Sequence, residues 1–467
     1  MARTLLGTAL ACLAASMAVA APADKQPLQH QRTVVVDRDT WPPFNMASFD
    51  QDKVRSVNGF QYTLYWDRDK TLVLARRNLA DDTVNLLRFH NKTLTINPRD
   101  GHRNTVVGIS PDDGRLHLSW DHHNNPLRYT KSRRGVIEDP PAKLTLEHFE
   151  PAQPLLPDDD LESRVTYPRF LNDSDGTLYF IYRQGGSGRG DNYIHRYQAD
   201  SGTWKRMGTT GLFSRQGTYP AWENSTSRNA YLNDVLFDKR NRLHATWTYR
   251  EAGRTWASNH DLHYAYSDDG GQTWRNNEGE QIANLTKGDS IELADPGIVV
   301  REIPVFSWLM NQTTMVLDSR NRPHVITYHL TEPFPPERLE HDPPAEVYPK
   351  LRMHHYWRDD NGTWQGGNTG VPLRTRPGVV VDDEDSLVVY HVDQGKLRCL
   401  LARPEENWRD WKSARMPVPG LTLHKASKPD RYLATAEGIL SMVAITREPD
   451  GERGLAILDF SAVSHEL

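Results

Sequence analysis

The chain predicts an all-β fold, a seven-bladed β-propeller of four-stranded antiparallel blades, and three observations carry that reading. Two β-rich runs joined by an acidic or glycine turn recur along the sequence, with a period of roughly 50 to 75 residues, which marks a repeat architecture. The apolar runs are short and alternating, no long 3.6-residue periodicity appears, and 31 Gly and 30 Pro punctuate them. Residues 267–274 read Ser267-Asp268-Asp269-Gly270-Gly271-Gln272-Thr273-Trp274 and match the Asp-box pattern S-x-D-x-G-x-x-W, a hairpin between outer propeller strands. Residues 359–364 and 200–204 are weaker echoes of it.

Taken in order, the N-terminus is a targeting segment. Arg3 gives a positive start, residues 5–19 form a short apolar run, and Ala18-Val19-Ala20 fits a small-x-small cleavage site. Residues 1–20 are therefore read as a secretory signal peptide and 21–467 as a single propeller domain. Cleavage removes Arg3, so 56 basic against 61 acidic residues becomes 55 against 61, a net of −6. It also removes Cys12 and leaves Cys399, which makes no internal disulfide and reads as a small core residue.

The run 33–36 is placed as the strand that closes the ring by completing the last blade. A first unit follows at 62–87, with strands at 62–66, 71–75 and 85–87. Six strand pairs come next: 106–109 with 116–120, 168–170 with 178–182, 235–237 with 243–247, 315–317 with 324–328, 379–381 with 387–390, and 433–435 with 440–443. Their turns carry Asp113-Gly114, Asp175-Gly176, Asp238, Asp318, Asp383 and Glu437-Gly438, residue types that suit tight reversals. Third strands at 193–197, 262–266 and 351–356 are followed by Trp204, Trp274 and Trp364.

Composition excludes some functions. A net charge of −5 gives no basic field for general binding of nucleic acid or anionic membranes. An anionic partner must be held by a local basic site. After the N-terminus no run of 18 apolar residues could form a membrane-spanning helix.

In a propeller, the starts of the first strands and the ends of the second strands face a central funnel. By repeat register His102, Tyr167, Tyr231, Asn311-Gln312 and Arg376 stand at the first positions, and Asp121-His122-His123, Arg183 and Arg250 at the second. No G-x-S-x-G elbow, H-E-x-x-H pair or Walker loop is present. The Gly-rich stretch 185–190 reads as a loop at the funnel mouth, and 158–160 as a solvated acidic loop. His354 and His355, with His329, His391 and Cys399, are candidate metal ligands across neighbouring blades, although their spacing fits no closed zinc pattern.

These residues resemble a known group. Asp100-Gly101-His102, Ser119-Trp120-Asp121-His122-His123, Val165-Thr166-Tyr167-Pro168-Arg169-Phe170 and Tyr182-Arg183-Gln184-Gly185-Gly186-Ser187-Gly188 resemble the seven-bladed ulvan lyases, polysaccharide lyase families twenty-four and twenty-five of the BNR-repeat group. The resemblance runs over about residues 95 to 445. It implies that His102, Tyr167 and Arg183 are catalytic, with Arg183 standing 16 residues after Tyr167. The second family histidine is His122 or His123: strand parity with Arg183 favours His123, and the family spacing allows His122. Tyr231 matches a further family tyrosine at the substrate, and Arg250, Asn311 and Arg376 join it as substrate-binding candidates by register. The implied substrate is ulvan, an anionic sulfated rhamnose–uronic acid polymer, cut by β-elimination at the bond 4-linked to glucuronate or iduronate.

An arginine suits the uronate carboxylate, a neutral histidine the C5 proton, and a phenol the leaving O4. His102 or His123 is then the base and Tyr167 the acid. The resemblance implies a structural metal ion, zinc or calcium, and no organic cofactor. No nucleic-acid or membrane partner is expected, a monomer is the expected state of a closed ring, and the location is secreted or periplasmic. The rival readings are a rhamnose–glucuronate-specific lyase or glycoside hydrolase on the same fold, a sialidase, and a non-catalytic glycan-binding propeller.

Overall fold

The computed structural model describes residues 28–41, 53–93, 100–102, 104–155, 160–253, 255–416, 418–447 and 453–462. The expected signal peptide, Cys12, and Asp158 and Asp159 of the acidic run lie outside the described residues.

Seven antiparallel sheets follow one another along the chain as the blades of a propeller. The first holds Val54–Val57, Phe60–Trp66, Thr71–Asn78 and Val84–Thr93. The second holds three strands, Thr105–Ser110, Arg115–Trp120 and Tyr129–Lys131. The third runs through Val165–Asn172, Leu178–Gly186, Arg189–Gln198 and Thr203–Arg206. The fourth uses Arg228–Phe237, Leu243–Glu251, Asn259–Ser267 and Thr273–Arg275, extended by Gln281–Asn284. The fifth has Thr314–Leu317, Pro323–His329, Arg352–Arg358 and Trp364–Pro372, and the sixth Gly378–Val381, Leu387–Asp393, Lys396–Ala402 and Lys412–Met416. The seventh is chimeric: Thr422–Ala426, Ile439–Arg447 and Arg453–Ala462 are completed by the N-terminal strand Leu28–Asp37.

Strand Leu28–Asp37 pairs antiparallel with Arg453–Ala462, with Val34 opposite Ile457 and Val35 opposite Ala456, so the run expected to close the ring does so. Closure removes the free edge that an open stack of sheets would leave. From the first blade to the sixth, successive first strands pack against one another, and the blades bury apolar faces against one another. Cys399 is fully buried in the core between the sixth and seventh blades, beside Leu397, Tyr390 and Met442.

The Asp-box folds as its residues dictate. Ser267 Oγ donates to Asp269 Oδ1 at 2.8 Å, the Asp269 carboxylate accepts the Thr273 amide at 2.8 Å, and Trp274 is fully buried. The inner hairpins use a related device. Asp173, Asp238, Asp318 and Asp382 each accept the amides two and four residues on, at 2.7 to 3.1 Å. The expected turn residues Asp175-Gly176 and Asp383 lie within these reversals, and the closing carboxylates are Asp173 and Asp382, because an Asx turn needs its acceptor at the start of the reversal.

Residues 433–435, expected as the first strand of the last pair, lie instead in the short helix Arg431–Glu437. Asp430 caps it, accepting the Tyr432 and Leu433 amides at 3.1 and 3.4 Å, and Gly438 ends it at φ +63°. The strand that takes that place, Thr422–Ala426, has one fully buried side chain, Leu423, and so a weak apolar signal.

The second blade departs from the repeat where the site forms. After Trp120, positive φ at Asp121 (64°) and Asn124 (56°) turns the chain out of its own sheet. The short strand His123–Asn125 then adds to the edge of the third blade, with His123 opposite Thr166 and Asn125 opposite Val165.

Candidate active site

Thr166 pairs with His123 on one side and with Arg183 on the other. Cross-strand partners share a face of a sheet, so His123 and Arg183 stand in one row although they come from different blades. Tyr167 follows on a β-bulge. The register passes from Thr166 opposite Arg183 to Arg169 opposite Ile181, which leaves Tyr167 and Pro168 against one residue. Tyr167 adopts φ +58°, a region costly for an aromatic residue. The bulge aims its ring into the funnel, between His102 and Arg183.

Asp100 organises the histidines. Its Oδ1 accepts from His102 Nδ1 at 2.6 Å, and its Oδ2 accepts from His123 Nδ1. The two rings are stacked, 3.9 Å between centroids and 15° apart in plane. A proton on each Nδ1 leaves the lone pair of a neutral ring at Nε2. His102 Nε2 therefore accepts from the Tyr167 hydroxyl, 3.1 Å away. Burial opposes the charge on Asp100, but the two imidazole N–H groups outweigh it and hold the carboxyl well below the usual carboxylate range. Burial brings the His102 imidazolium down to about 4 against the opposing pull of Asp100, so the ring is neutral at ordinary pH.

Cations line the other side. The Arg183 guanidinium lies 4.8 Å from the Tyr167 ring centre and 5.7 Å from that of Tyr231, and its Nη1 donates to Tyr231 Oη at 3.4 Å. Arg250 also donates to Tyr231 Oη, at 3.3 Å, and is braced by Nε donation to Asn259 Oδ1 at 2.8 Å. Ser187 Oγ sits 3.0 Å from the same phenol oxygen. Burial pushes the Tyr231 phenol up, but Arg250 and Arg183 together overcome it and bring it down to about 8. Burial and the neighbouring Tyr231 push the Tyr167 phenol up to about 12, so it keeps its proton. Arg376 donates to Asn311 through Nε to the backbone oxygen at 2.7 Å and through Nη2 to Oδ1 at 2.9 Å.

Glycine gives Arg183 its room. A Cβ on Gly190 would lie 2.7 Å from Arg183 Cδ. The Gly-rich stretch is a tight hairpin between Leu178–Gly186 and Arg189–Gln198 rather than an irregular loop, turning at Ser187-Gly188 with Gly188 at φ +70°.

The expected residues His102, His123, Tyr167, Arg183, Tyr231 and Arg250 thus meet in one group, with Asn311 and Arg376 beside it. His122 does not join them. It is fully buried with Nε2 3.0 Å from Ser119 Oγ, and burial lowers it to about 3. Its alternation with His123 turns it into the blade. Asp100, Ser187 and Asn259 were not read as site residues from the sequence. Asp100 carried a signal in its position two before His102, whereas Ser187 and Asn259 carried none beyond register.

Among the described residues, one group of three His, Cys, Asp or Glu side chains brings ligand atoms within 4.8 Å: Asp100, His102 and His123. It fits a structural metal poorly. Each Nδ1 is already matched to its own Asp100 oxygen, and three ligands fall short of a closed zinc site. His354 and His355 do not converge either: His354 stacks on His329 at 3.5 Å, while His355 Nε2 meets His324 Nδ1 at 3.0 Å on the other face. Cys399 lies apart from both, in the core.

Known proteins share this architecture. A polysaccharide lyase of known structure superposes with a TM-score of 0.72 at 16% identity, over 93% of this chain and all of that one. An ulvan lyase of polysaccharide lyase family 25 gives 0.64 at 13% identity over 92% and 95%. In sequence, the long isoform of an ulvan lyase from Alteromonas sp. (strain LOR) is 25% identical over 289 residues, 53% of this chain and 28% of that protein. The corresponding enzyme of Pseudoalteromonas sp. (strain PLSV) is 26% identical over 284 residues, again 28% of its length. The chain thus spans little more than a quarter of the length of these relatives, and 54% of the short isoform from the same Alteromonas strain. The BNR repeat-containing family matches residues 60–369, from the second strand of the first blade into the last strand of the fifth, and the chain belongs to that family.

Proposed function

We propose that the protein is a polysaccharide lyase that cleaves ulvan by β-elimination. The observation that carries this reading is the single cluster in which a neutral histidine, a protonated tyrosine and an arginine share one face of the funnel. Sequence likeness to ulvan lyases supports the substrate class. A substrate outside the cytoplasm also agrees with the signal expected at residues 1–20.

The C5 proton of a uronate is weakly acidic because the carboxylate is already charged, and its removal puts more charge there. Arg183 meets that charge with a planar, permanently protonated fork. His102 takes the C5 proton at Nε2, and Asp100 stabilises the imidazolium through Nδ1. Tyr167 gives its proton to O4 as the C4–O4 bond breaks and the C4–C5 double bond forms. The proton on His102 then passes to the Tyr167 phenolate across their hydrogen bond, and both groups return to their starting states. His123, stacked on His102 and tied to the same carboxylate, keeps the ring in place. A structural metal has no step in this sequence. Hydrolysis by a carboxylate pair fits less well, since Asp100 is the one carboxylate in the group among the described residues and both its oxygens face imidazoles.

The experiment is to follow ultraviolet absorbance of unsaturated uronate ends while the protein acts on ulvan. A rise that disappears in His102→Ala supports the elimination. New reducing ends without absorbance mean a hydrolase, and no cleavage means a binding module.

The pH profile gives a second test. Protonation of His102 removes the base, so kcat/KM falls as pH drops through about 4. Ionisation of Tyr231 puts a phenolate between Arg183 and Arg250, which competes with the substrate carboxylate. The profile therefore also falls as pH rises through about 8. In Tyr231→Phe this alkaline limb moves upward, and a limb left at its wild-type midpoint overturns the assignment.

A further inference from the structure

The proposed elimination leaves a buried ionic group of the fourth blade unused. Arg228, Glu251 and His260 are fully buried, and Asp261 stands at the edge of the group. Arg228 Nε donates to Glu251 Oε1 at 2.7 Å, and its Nη2 donates to Oε2 at 3.2 Å. The same Glu251 Oε1 lies 3.1 Å from His260 Nε2, and Asp261 Oδ2 lies 2.9 Å from His260 Nδ1. A carboxylate at each ring nitrogen calls for a proton on both, so His260 is an imidazolium and two cations face two anions. Burial opposes that charge, but Asp261 and Glu251 outweigh it and raise His260 above its ordinary value. Buried ion pairs add little net stability, which directs attention to what this group holds.

It holds the loop 214–227, which leads into the first strand of the blade. The Arg228 guanidinium donates to four of its carbonyls: Arg215 at 3.3 Å, Gly217 at 3.0 Å, Ser225 at 3.4 Å, and Gln216. Tyr219 of the same loop lies flat on the His260 ring, 3.9 Å between centroids and 12° apart in plane. A cationic ring against a phenol face is attracted by it. On its other side the group adjoins the site. Arg228 pairs with Glu251, Asn229 with Arg250, and Arg250 with Asn259, which precedes His260. Successive side chains of a strand point to opposite faces, so the ionic group backs the row of Asn229, Arg250 and Asn259. Asn229 Oδ1 accepts the Gly188 amide, and Ser227 Oγ donates to the Gly188 carbonyl at 2.8 Å. Gly188 follows Ser187, whose hydroxyl meets Tyr231.

We propose that Arg228, Glu251 and His260 are positioning residues for the elimination. They form an ionic latch that clamps loop 214–227 to the fourth blade and so sets Arg250 and the Ser187 hairpin for the substrate. This inference rests on the polysaccharide lyase reading and deepens it, since it gives the site a brace that touches no substrate.

His260→Gln removes the charge and keeps a polar side chain, and two measurements on it test the latch. Deuterium exchange of backbone amides, read by mass spectrometry, should rise in 214–227 and stay at the unmutated level in the other blades. KM for ulvan is expected to rise roughly tenfold, the worth of one charge-assisted contact, with kcat held within about twofold. A merely structural role would give the reverse, a smaller active fraction that lowers kcat at constant KM. Tyr219→Leu loosens the loop without unpairing a buried charge, so it reports even if the histidine variant fails to fold, and it should move exchange and KM the same way. Unchanged loop exchange in both variants, or an unchanged KM, would overturn the proposal. The lyase reading fails separately, if the unmutated protein releases no unsaturated ends from ulvan. Retention in gels containing ulvan then replaces KM: weaker retention of both variants leaves the latch standing as a brace for polymer binding, and equal retention overturns it.

Discussion

Replacing Tyr167 by phenylalanine is expected to lower kcat on ulvan by roughly 10²- to 10⁴-fold, the range of a positioned general acid, and to leave KM nearly unchanged. The substitution removes the hydroxyl that meets His102 Nε2 at 3.1 Å and keeps the ring that Arg183 covers. The positive φ of Tyr167 is a property of the bulge and is as costly for phenylalanine as for tyrosine. Thermal stability should therefore change little, which separates a chemical effect from a structural one. The double variant His102→Ala/Tyr167→Phe should be little worse than the poorer single variant, because base and acid pass one proton between them and act as a unit. Full turnover in Tyr167→Phe would remove Tyr167 from the acid role. Strictly additive losses would mean that the two residues serve separate steps.

The parts of this molecule legible in the sequence are those set by local pattern. Alternation located the central strand pair of each of the first six blades but not Val54–Val57, Tyr129–Lys131, Lys396–Ala402 or Lys412–Met416, and the Asp-box and its echoes located outer hairpins. The closing strand at 33–36 was legible because a ring that begins with an unpaired apolar strand must find a partner at its other end. The failures have the same origin. Thr422–Ala426 buries one side chain fully and was passed over for the more apolar 433–435, where Asp430 and Gly438 cap a helix. The site was legible to the extent that it follows register. His102, Tyr167, Arg183, Tyr231 and Arg250 stand at equivalent places in successive blades and meet as register requires. His122 against His123 could not be decided by spacing alone, because the chain leaves the second blade between them and joins the third. That transfer depends on positive φ at Asp121 and Asn124, which tertiary pairing imposes. The role of Asp100 depends on the stacking of two rings distant in sequence, and no local pattern announces it.

Arg183→Lys carries the other large expected effect, a fall in kcat/KM of roughly 10²- to 10³-fold, comparable to the loss of a preorganised charge-stabilising donor. Lysine keeps the positive charge and loses the planar fork and the stacking on Tyr167, so the size of the fall measures geometry rather than charge. Arg183 is 2% exposed, and its stem runs where a Cβ on Gly190 would stand. An ammonium on a lysine stem would still have to leave water there, with fewer donors to offer the carboxylate. The decisive comparison uses ulvan whose uronate carboxyls are methyl esters. Esterification removes the charge that makes the C5 proton hard to take, and with it the reason for a guanidinium. The penalty of Arg183→Lys should then shrink by at least tenfold on the esterified polymer, measured by the same absorbance assay. An unchanged penalty would mean that Arg183 positions Tyr167 and Tyr231 rather than meeting the carboxylate. The cation for the intermediate would then have to be sought in Arg250, which shares the Tyr231 hydroxyl with it.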